Sequence, residues 1–205
     1  WTFGLGWFGA GISWVHVSIA DFGGMPLIAS VLMMFLLSAY LALFPAFSFY
    51  FAKRWVKPAL LPLLLPAIWF IAEWLRSWLL SGFPWLSLGY SQLDSPLSGW
   101  LPVLGETGMT WLLMTMVSAL AVATLSKQFL QAIAITGSVT IAALLLNTVN
   151  WVEPQQPVSI GMAQGNIAQS LRWVPEQDAP TMNTYRELTN LVWDNDVIIW
   201  PEAAI

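Results

Sequence analysis

Glu202 is the residue best placed to do chemistry, at the end of the run DVIIWPEAAI over 196–205. Val197, Ile198 and Ile199 form a β-branched run without a polar break, which predicts a strand buried on both faces of a sheet. Trp200 and Pro201 end it, because proline has no ladder donor to give. Glu202 then falls just past the carboxyl end of a strand, where open α/β sheets carry their ligand-handling groups. A carboxylate among apolar neighbours there is poorly hydrated, as suits a general base. The same position also fits a solvated glutamate in a turn.

Glu73 and Arg76 form a second candidate pair, in the run AEWLRSWLLSGFPW. An i, i+3 pair shares one helical face, and two charges inside an apolar helix are costly unless they meet each other or a polar cavity. Two readings stay open: an interhelical clamp, or a headgroup site where the planar Arg76 fork holds a lipid phosphate. His16, near the outer end of the first apolar stretch, fits a bond to a neighbouring helix as well as a functional role. Glu106 fits a solvated position as well as a catalytic one. The absence of cysteine removes disulfides and thiolate ligands, and with a single histidine it argues against a metal centre.

The elements that must position these groups are mostly membrane helices. Of the 205 residues 58% are hydrophobic and 9% charged, against roughly a quarter charged in soluble domains. A net charge of -4 with no dense Lys/Arg cluster excludes nucleic acid as a partner, since that needs a basic footprint. The chain opens at Trp1 inside an apolar run and reads as an internal part of a longer polypeptide. Stretches 1–20, 26–52, 59–80, 109–125 and 129–149 are each long and apolar enough to cross a bilayer, giving a five-span transmembrane helical domain over 1–150. Lys53, Arg54 and Lys57 lie between the second and third spans and Lys127 between the fourth and fifth. The positive-inside rule therefore puts those links in the cytoplasm and everything after Asn150 outside. Gly4, Gly6, Gly9 and Gly11 allow close helix packing in the first span. Pro45 should kink the second span, and Pro58, Pro62 and Pro66 act on the third. The link 81–108, rich in Gly and Pro, reads as a loop covering a site at the membrane surface. The rings of Trp74, Trp78, Phe83, Trp85 and Tyr90 anchor it at the interface.

Residues 151–205 read as the start of a soluble domain. After the linker EPQQP, Val158, Ile160 and Met162 alternate with Ser159, Gly161 and Ala163 as a first strand, closed by Gln164, Gly165 and Asn166. Asp178 is a plausible N-cap to a helix that runs to about 194, with Met182, Tyr185, Leu188 and Val192 on one face. The strand ending at Glu202 completes a βαβ unit with parallel strands. One such unit buries too little surface to stand alone, so more of this domain is expected beyond Ile205.

The runs FGLGWFGAGISWVHVSI, AEWLRSWLLSGFPWLSLGYSQ, SIGMAQGNIAQSLRW and VIIWPEAAI, together with the order of spans, resemble the apolipoprotein N-acyltransferase family of the bacterial inner membrane. The resemblance covers essentially the whole chain. It implies a multi-span transmembrane α-helical bundle followed by the start of a periplasmic α/β domain of the nitrilase kind, an αββα sandwich with a Glu, Lys and Cys triad. Glu202 matches the glutamate. The Lys and Cys have no counterpart here, because Lys53, Lys57 and Lys127 are read as cytoplasmic and the chain has no cysteine. Trp173 matches a tryptophan of the family's QSLKW-like run, which puts it beside the acyl or headgroup entrance, and Arg172 stands where a lysine is common.

The implied reaction is a two-step acyl transfer without a cofactor. Glu202 takes a proton from a cysteine thiol of resting pKa about 8.5. The thiolate then attacks the sn-1 ester of a phospholipid, phosphatidylethanolamine being the expected donor, and keeps the acyl chain as a thioester. The α-amine of an N-terminal diacylglyceryl-cysteine takes the chain from it, and the lysine helps to hold the oxyanion in each half. A soluble nitrilase-type amidase would not need the spans. A transporter would want ionisable residues in several spans. A catalytically dead scaffold with a nitrilase-like outer domain is the remaining alternative.

Overall fold

The computed structural model describes residues 1–171 and 174–202. The chain divides into two compact units, Trp1–Trp151 and Val152–Ile205.

The first unit is helical. Among the described residues four helical stretches are long and apolar enough to cross a membrane: Leu27–Trp55, Pro58–Ser81, Ser98–Leu125 and Phe129–Leu146. The expected single span over 1–20 is instead two pieces, α1 (Thr2–Gly11) and α2 (Val15–Val17), the latter running on as a π-helical turn to Phe22. They meet at 60° and make a fifth crossing only if the bent pair counts as one. Side chains cause the break. The Ser13 hydroxyl takes the Ala10 carbonyl and His16 Nδ1 meets the Ser13 carbonyl, acceptors that a continuous helix would give to amides four residues on. The backbone responds with tighter bonds, Val15 N–H to Ile12 O and Val17 N–H to Trp14 O.

The second crossing is α3 (Leu27–Leu41) and α4 (Leu43–Trp55), interrupted at Ala42. Pro45 has no N–H for the Leu41 carbonyl, so the ladder breaks there. Gly4 of α1 packs into this break, where an added Cβ would lie 2.8 Å from Pro45 Cγ. Gly11 packs likewise against Leu86, whereas Gly6 and Gly9 face open space, so two of the four glycines make the close approach expected of them. Phe8, Ile12 and Leu41 form the core of this end, with Tyr40, Phe83 and Leu86 around them.

The third crossing is a 3₁₀ turn over Pro58–Leu60 and α5 (Leu61–Trp78), which packs between α4 and α6. The link 81–108, expected to be loop throughout, contains short 3₁₀ turns at Leu88–Gln92 and Ser98–Trp100, and α6 (Leu101–Leu125) begins well before the expected 109. Gly105, at φ 66° and ψ -178°, is a hinge inside α6. A β-carbon would be strained there, so glycine lets the helix bend and resume. The end of the link 81–108 passes tightly against the last helix of this unit. A Cβ on Gly99 would lie 2.0 Å from the Ala143 carbonyl of α7 (Phe129–Leu146), and Trp100 Nε1 donates to Val139 O at 3.1 Å. Many apolar side chains point outward, Ile28 and Leu130 being more than four-fifths exposed, as suits helices solvated by hydrocarbon.

The second unit holds β1 (Ile160–Met162), α8 (Asp178–Leu191) and β2 (Val197–Ile199). The strands pair in parallel, with Gly161 opposite Ile198. Asp178 is the first residue of α8 rather than its cap, because a 3₁₀ turn over Pro175–Gln177 precedes it. The helix lays Met182, Tyr185 and Leu188 on its covered side, and Val192, expected within it, is the cap that follows its last residue, Leu191. The small residues Gly161 and Ala163 are buried, and Ile160, Met162, Val197 and Ile199 are exposed. Val192 packs so close to Gly161 that a Cβ there would lie 2.6 Å from it, so the glycine side of the strand is the one that admits the helix. Among the described residues one face of the strand pair is covered.

Candidate functional site

The Glu73–Arg76 pair organises a polar cluster at one end of α5. Both side chains are buried, at 6% and 2% exposure. Arg76 Nη1 donates to the carbonyls of Phe83 and Trp85 at 2.6 and 2.7 Å, and Nη2 donates to Ser87 Oγ at 3.1 Å. Glu73 Oε1 accepts the Leu88 amide at 3.1 Å and Oε2 accepts the Thr110 hydroxyl at 2.7 Å. Thr110 Oγ1 in turn accepts the Gly89 amide at 2.9 Å. The two charges themselves stand 3.9 Å apart, and the guanidinium lies 5.3 Å from the Phe8 ring.

Each charge thus holds backbone groups of the loop 83–89. The loop needs holding because its approach is strained. Leu80, Ser81 and Gly82 carry φ of 52°, 75° and 77°, and Leu86 carries 60°, conformations that cost non-glycine residues free energy. A guanidinium fork matches two carbonyls and a hydroxyl in one plane, which an ammonium does not. Of the two readings of this pair, these contacts favour the clamp, tying α5 to the loop and to α6. Glu106 faces the same region from α6. Its Oε2 accepts the Thr107 hydroxyl at 3.0 Å, and its carbonyl lies where a Cβ on Gly89 would be 2.1 Å away. His16 bonds its own turn rather than a neighbouring helix.

Glu202 belongs to the second unit. β1 and β2 run parallel, so the turn 164–166 and the segment Pro201, Glu202 leave the sheet at the same, carboxyl, edge. This is the edge at which α/β sheets assemble ligand sites. Trp200 is fixed just before it. Its ring stacks on Tyr185 with centroids 5.2 Å apart, and its Nε1 donates to Thr189 Oγ1 at 2.9 Å. Gly165 passes under the same Tyr185, where a Cβ would lie 2.8 Å from the ring. Glu202 itself is exposed among the described residues. Trp173, with Arg172, lies outside the described residues.

The opposite edge sets the register. Asp196 Oδ2 accepts the Ser159 amide at 2.9 Å and its hydroxyl at 2.7 Å, while the Asp196 amide donates to Ser159 Oγ at 2.9 Å. The amide of Ser159 first, then its hydroxyl, holds the Asp196 carboxyl below the usual carboxylate range. A lowered folded-state pKa contributes stability above the unfolded value, about 3.9, and loses it as pH falls through the folded one. Protection of the Ser159 amide against hydrogen exchange is therefore expected to fall on acidification below about pH 4. Asp196→Asn should remove that pH dependence; an unchanged acid profile in the variant would count against the clasp.

Ser87, Thr110 and Trp69 were not identified by sequence reasoning. Thr110 lies 37 residues from Glu73, beyond any spacing rule. The usable signal was general: a buried polar side chain in a span must find a partner. Among the described residues no cluster of acidic or histidine side chains could hold a metal ion.

Residues 1–120 match the family model for the apolipoprotein N-acyltransferase N-terminal domain. Similar curated proteins, each named apolipoprotein N-acyltransferase, include those of Vibrio vulnificus at 46% identity and Vibrio cholerae at 45%, both aligned with the whole of this chain. The protein of Shewanella oneidensis is 40% identical, again over the whole chain. The chain covers 42%, 41% and 40% of these relatives, about two-fifths of their length. With the helical spans above, these matches establish a multi-pass membrane protein, and the chain belongs to the apolipoprotein N-acyltransferase family.

Proposed function

We propose that this chain is part of a phospholipid-to-apolipoprotein N-acyltransferase, with Glu202 as the general base of a nitrilase-like triad. The observation that carries the reading is the shared carboxyl edge of the parallel strands. It gathers the turn 164–166 and Glu202, the two motifs on which the outer-domain resemblance rests. The nucleophile lies elsewhere in the full-length protein, since these 205 residues contain no cysteine.

In the first half-reaction Glu202 takes the thiol proton, and the thiolate attacks the sn-1 ester carbonyl of a phospholipid, phosphatidylethanolamine being the expected donor. The tetrahedral intermediate collapses with loss of the lysophospholipid oxygen, which is protonated as it leaves, and the acyl chain stays on sulfur. In the second, the α-amine of a diacylglyceryl-cysteine attacks the thioester, the thiolate leaves and the amine proton is lost to a base. The triad lysine stabilises each oxyanion. Trp173 is given the acyl entrance on the resemblance alone. Lys53, Arg54, Lys57 and Lys127 favour a cytoplasmic location for their links. This puts the outer unit in the periplasm of a bacterium's inner membrane, beside both lipid substrates.

The test uses the full-length protein in phospholipid nanodiscs with a labelled sn-1 chain. A hydroxylamine-sensitive protein adduct should form, and its label should pass to a synthetic diacylglyceryl peptide as an amide. Label reaching the peptide without any such adduct, or an adduct that never discharges to the amine, would overturn the reading.

A further inference from the structure

An apolar groove of about 480 Å³ runs between the second crossing and α5. Apart from Tyr40 and Ser48 every side chain lining it is a hydrocarbon, and Ser48 gives its hydroxyl proton to the Phe44 carbonyl. Leu43, Phe47, Phe51 and Ile71 line it and are each more than a third exposed. The groove therefore opens sideways, where a membrane helix meets lipid. Along the third crossing it extends from Ile68 to Leu79, about 16 Å at the helical rise. That is half of the roughly 30 Å hydrocarbon thickness, the depth of one leaflet.

One wall is a ladder of rings that leads to a basic end. Phe47, Phe51 and Trp55 follow one another at every fourth residue of α4, with ring centroids 5.9 and 4.6 Å apart. Trp55 ends the helix, and Arg54, three residues after Phe51, lies on the same face. Lys53 and Lys57 flank it. All three basic residues are exposed, and among the described residues they form no salt bridge. No Asp or Glu occurs between Asp21 and Glu73, so this stretch of chain has no anion to offer them. At the other end of α5 the cation is Arg76, which is already spent on Phe83, Trp85 and Ser87.

We propose that the groove and its basic end together bind one anionic phospholipid of the surrounding leaflet, an acyl chain lying along the rings and the phosphate held by Lys53, Arg54 and Lys57. Basic side chains beside a span attract anionic headgroups, and the Trp55 indole suits the interfacial depth between headgroup and chain. The hydrocarbon wall then holds the chain that the charges recruit. The lipid fills the seam between α4 and α5 as a structural ligand, with its phosphate at the opposite end of α5 from the clamp. The inference is independent of acyl transfer.

The test gives the full-length protein, in detergent micelles, equal amounts of phosphatidylglycerol and phosphatidylcholine with matched chains, and reads the lipid retained by native mass spectrometry. One phosphatidylglycerol should stay bound in preference to phosphatidylcholine, by about fivefold for each basic residue engaged. Replacing Lys53, Arg54 and Lys57 together with Gln should bring the two lipids close to parity. Ile71→Trp and, separately, Leu43→Trp fill the groove from exposed positions and leave the basic end intact. In each variant that still melts cooperatively, retention of either lipid should be lost. Equal retention of the two lipids by the parent, or a preference that survives the filled groove, overturns the proposal. So does a density map of the full-length protein with one of its own spans seated in the groove.

Discussion

Glu202→Gln in the full-length protein is expected to slow acyl-enzyme formation by about 10²–10⁴-fold while insertion and melting stay as in the parent. Glutamine keeps the size and the hydrogen-bonding reach of glutamate but cannot take a proton, so the substitution isolates base catalysis from packing. The stability side of the prediction follows from position. Glu202 is exposed just past Trp200 at the sheet edge, where substitutions usually stay within about 0.5 kcal/mol. The check is rapid-quench measurement of the labelled adduct, with thermal melting run alongside. A parental adduct rate in the variant would remove Glu202 from the chemistry, whatever the activity assay showed. Loss of melting along with rate would instead assign it a structural role.

Why the position of Glu202 at a strand exit could be read in the sequence, while most of the clamp could not, comes down to the range of the interactions. The exit of a strand is set by its own residues: Val197, Ile198 and Ile199 extend, Pro201 stops, and the next side chain stands at the edge. Arg76 sits on the same helical face as Glu73 for an equally local reason. Its partners are not local in that sense. Reaching the Phe83 and Trp85 carbonyls takes a chain reversal through Leu80 and Ser81 at positive φ, and no propensity favours that for leucine. The bonds that Arg76, Glu73 and Thr110 make to the loop offset it. The same limit explains the second unit. Alternation identified β1, but the side that faces α8 was decided by the fit of Val192 onto Gly161, a tertiary contact. The break at the end of α1 had a local signal, Ser13 and His16 competing for turn carbonyls, but hydropathy alone reads through it.

Arg76→Met is expected to destabilise the helical unit by about 3–5 kcal/mol, the usual cost of removing one partner from a buried charge pair. Methionine fills much of the same volume, so the loss is polar. Glu73 keeps its bonds to Leu88 and Thr110 but loses its counter-charge, and the Phe83 and Trp85 carbonyls lose the Nη1 donor. Arg76→Lys should recover part of the loss, because it restores the charge without the fork. Adding Glu73→Gln to Arg76→Met should recover more than additivity allows, since the uncompensated carboxylate is then gone. Melting in nanodiscs and proteolysis across 80–89 read the outcome: a clamp predicts lower melting and a loop that is cut faster. The headgroup reading predicts something else, parental melting with a raised KM for phospholipid. The distinction bears on mechanism as well as stability. A guanidinium whose Nη1 and Nη2 already serve Phe83, Trp85 and Ser87 would have to release the loop before it could grip a phosphate through those atoms.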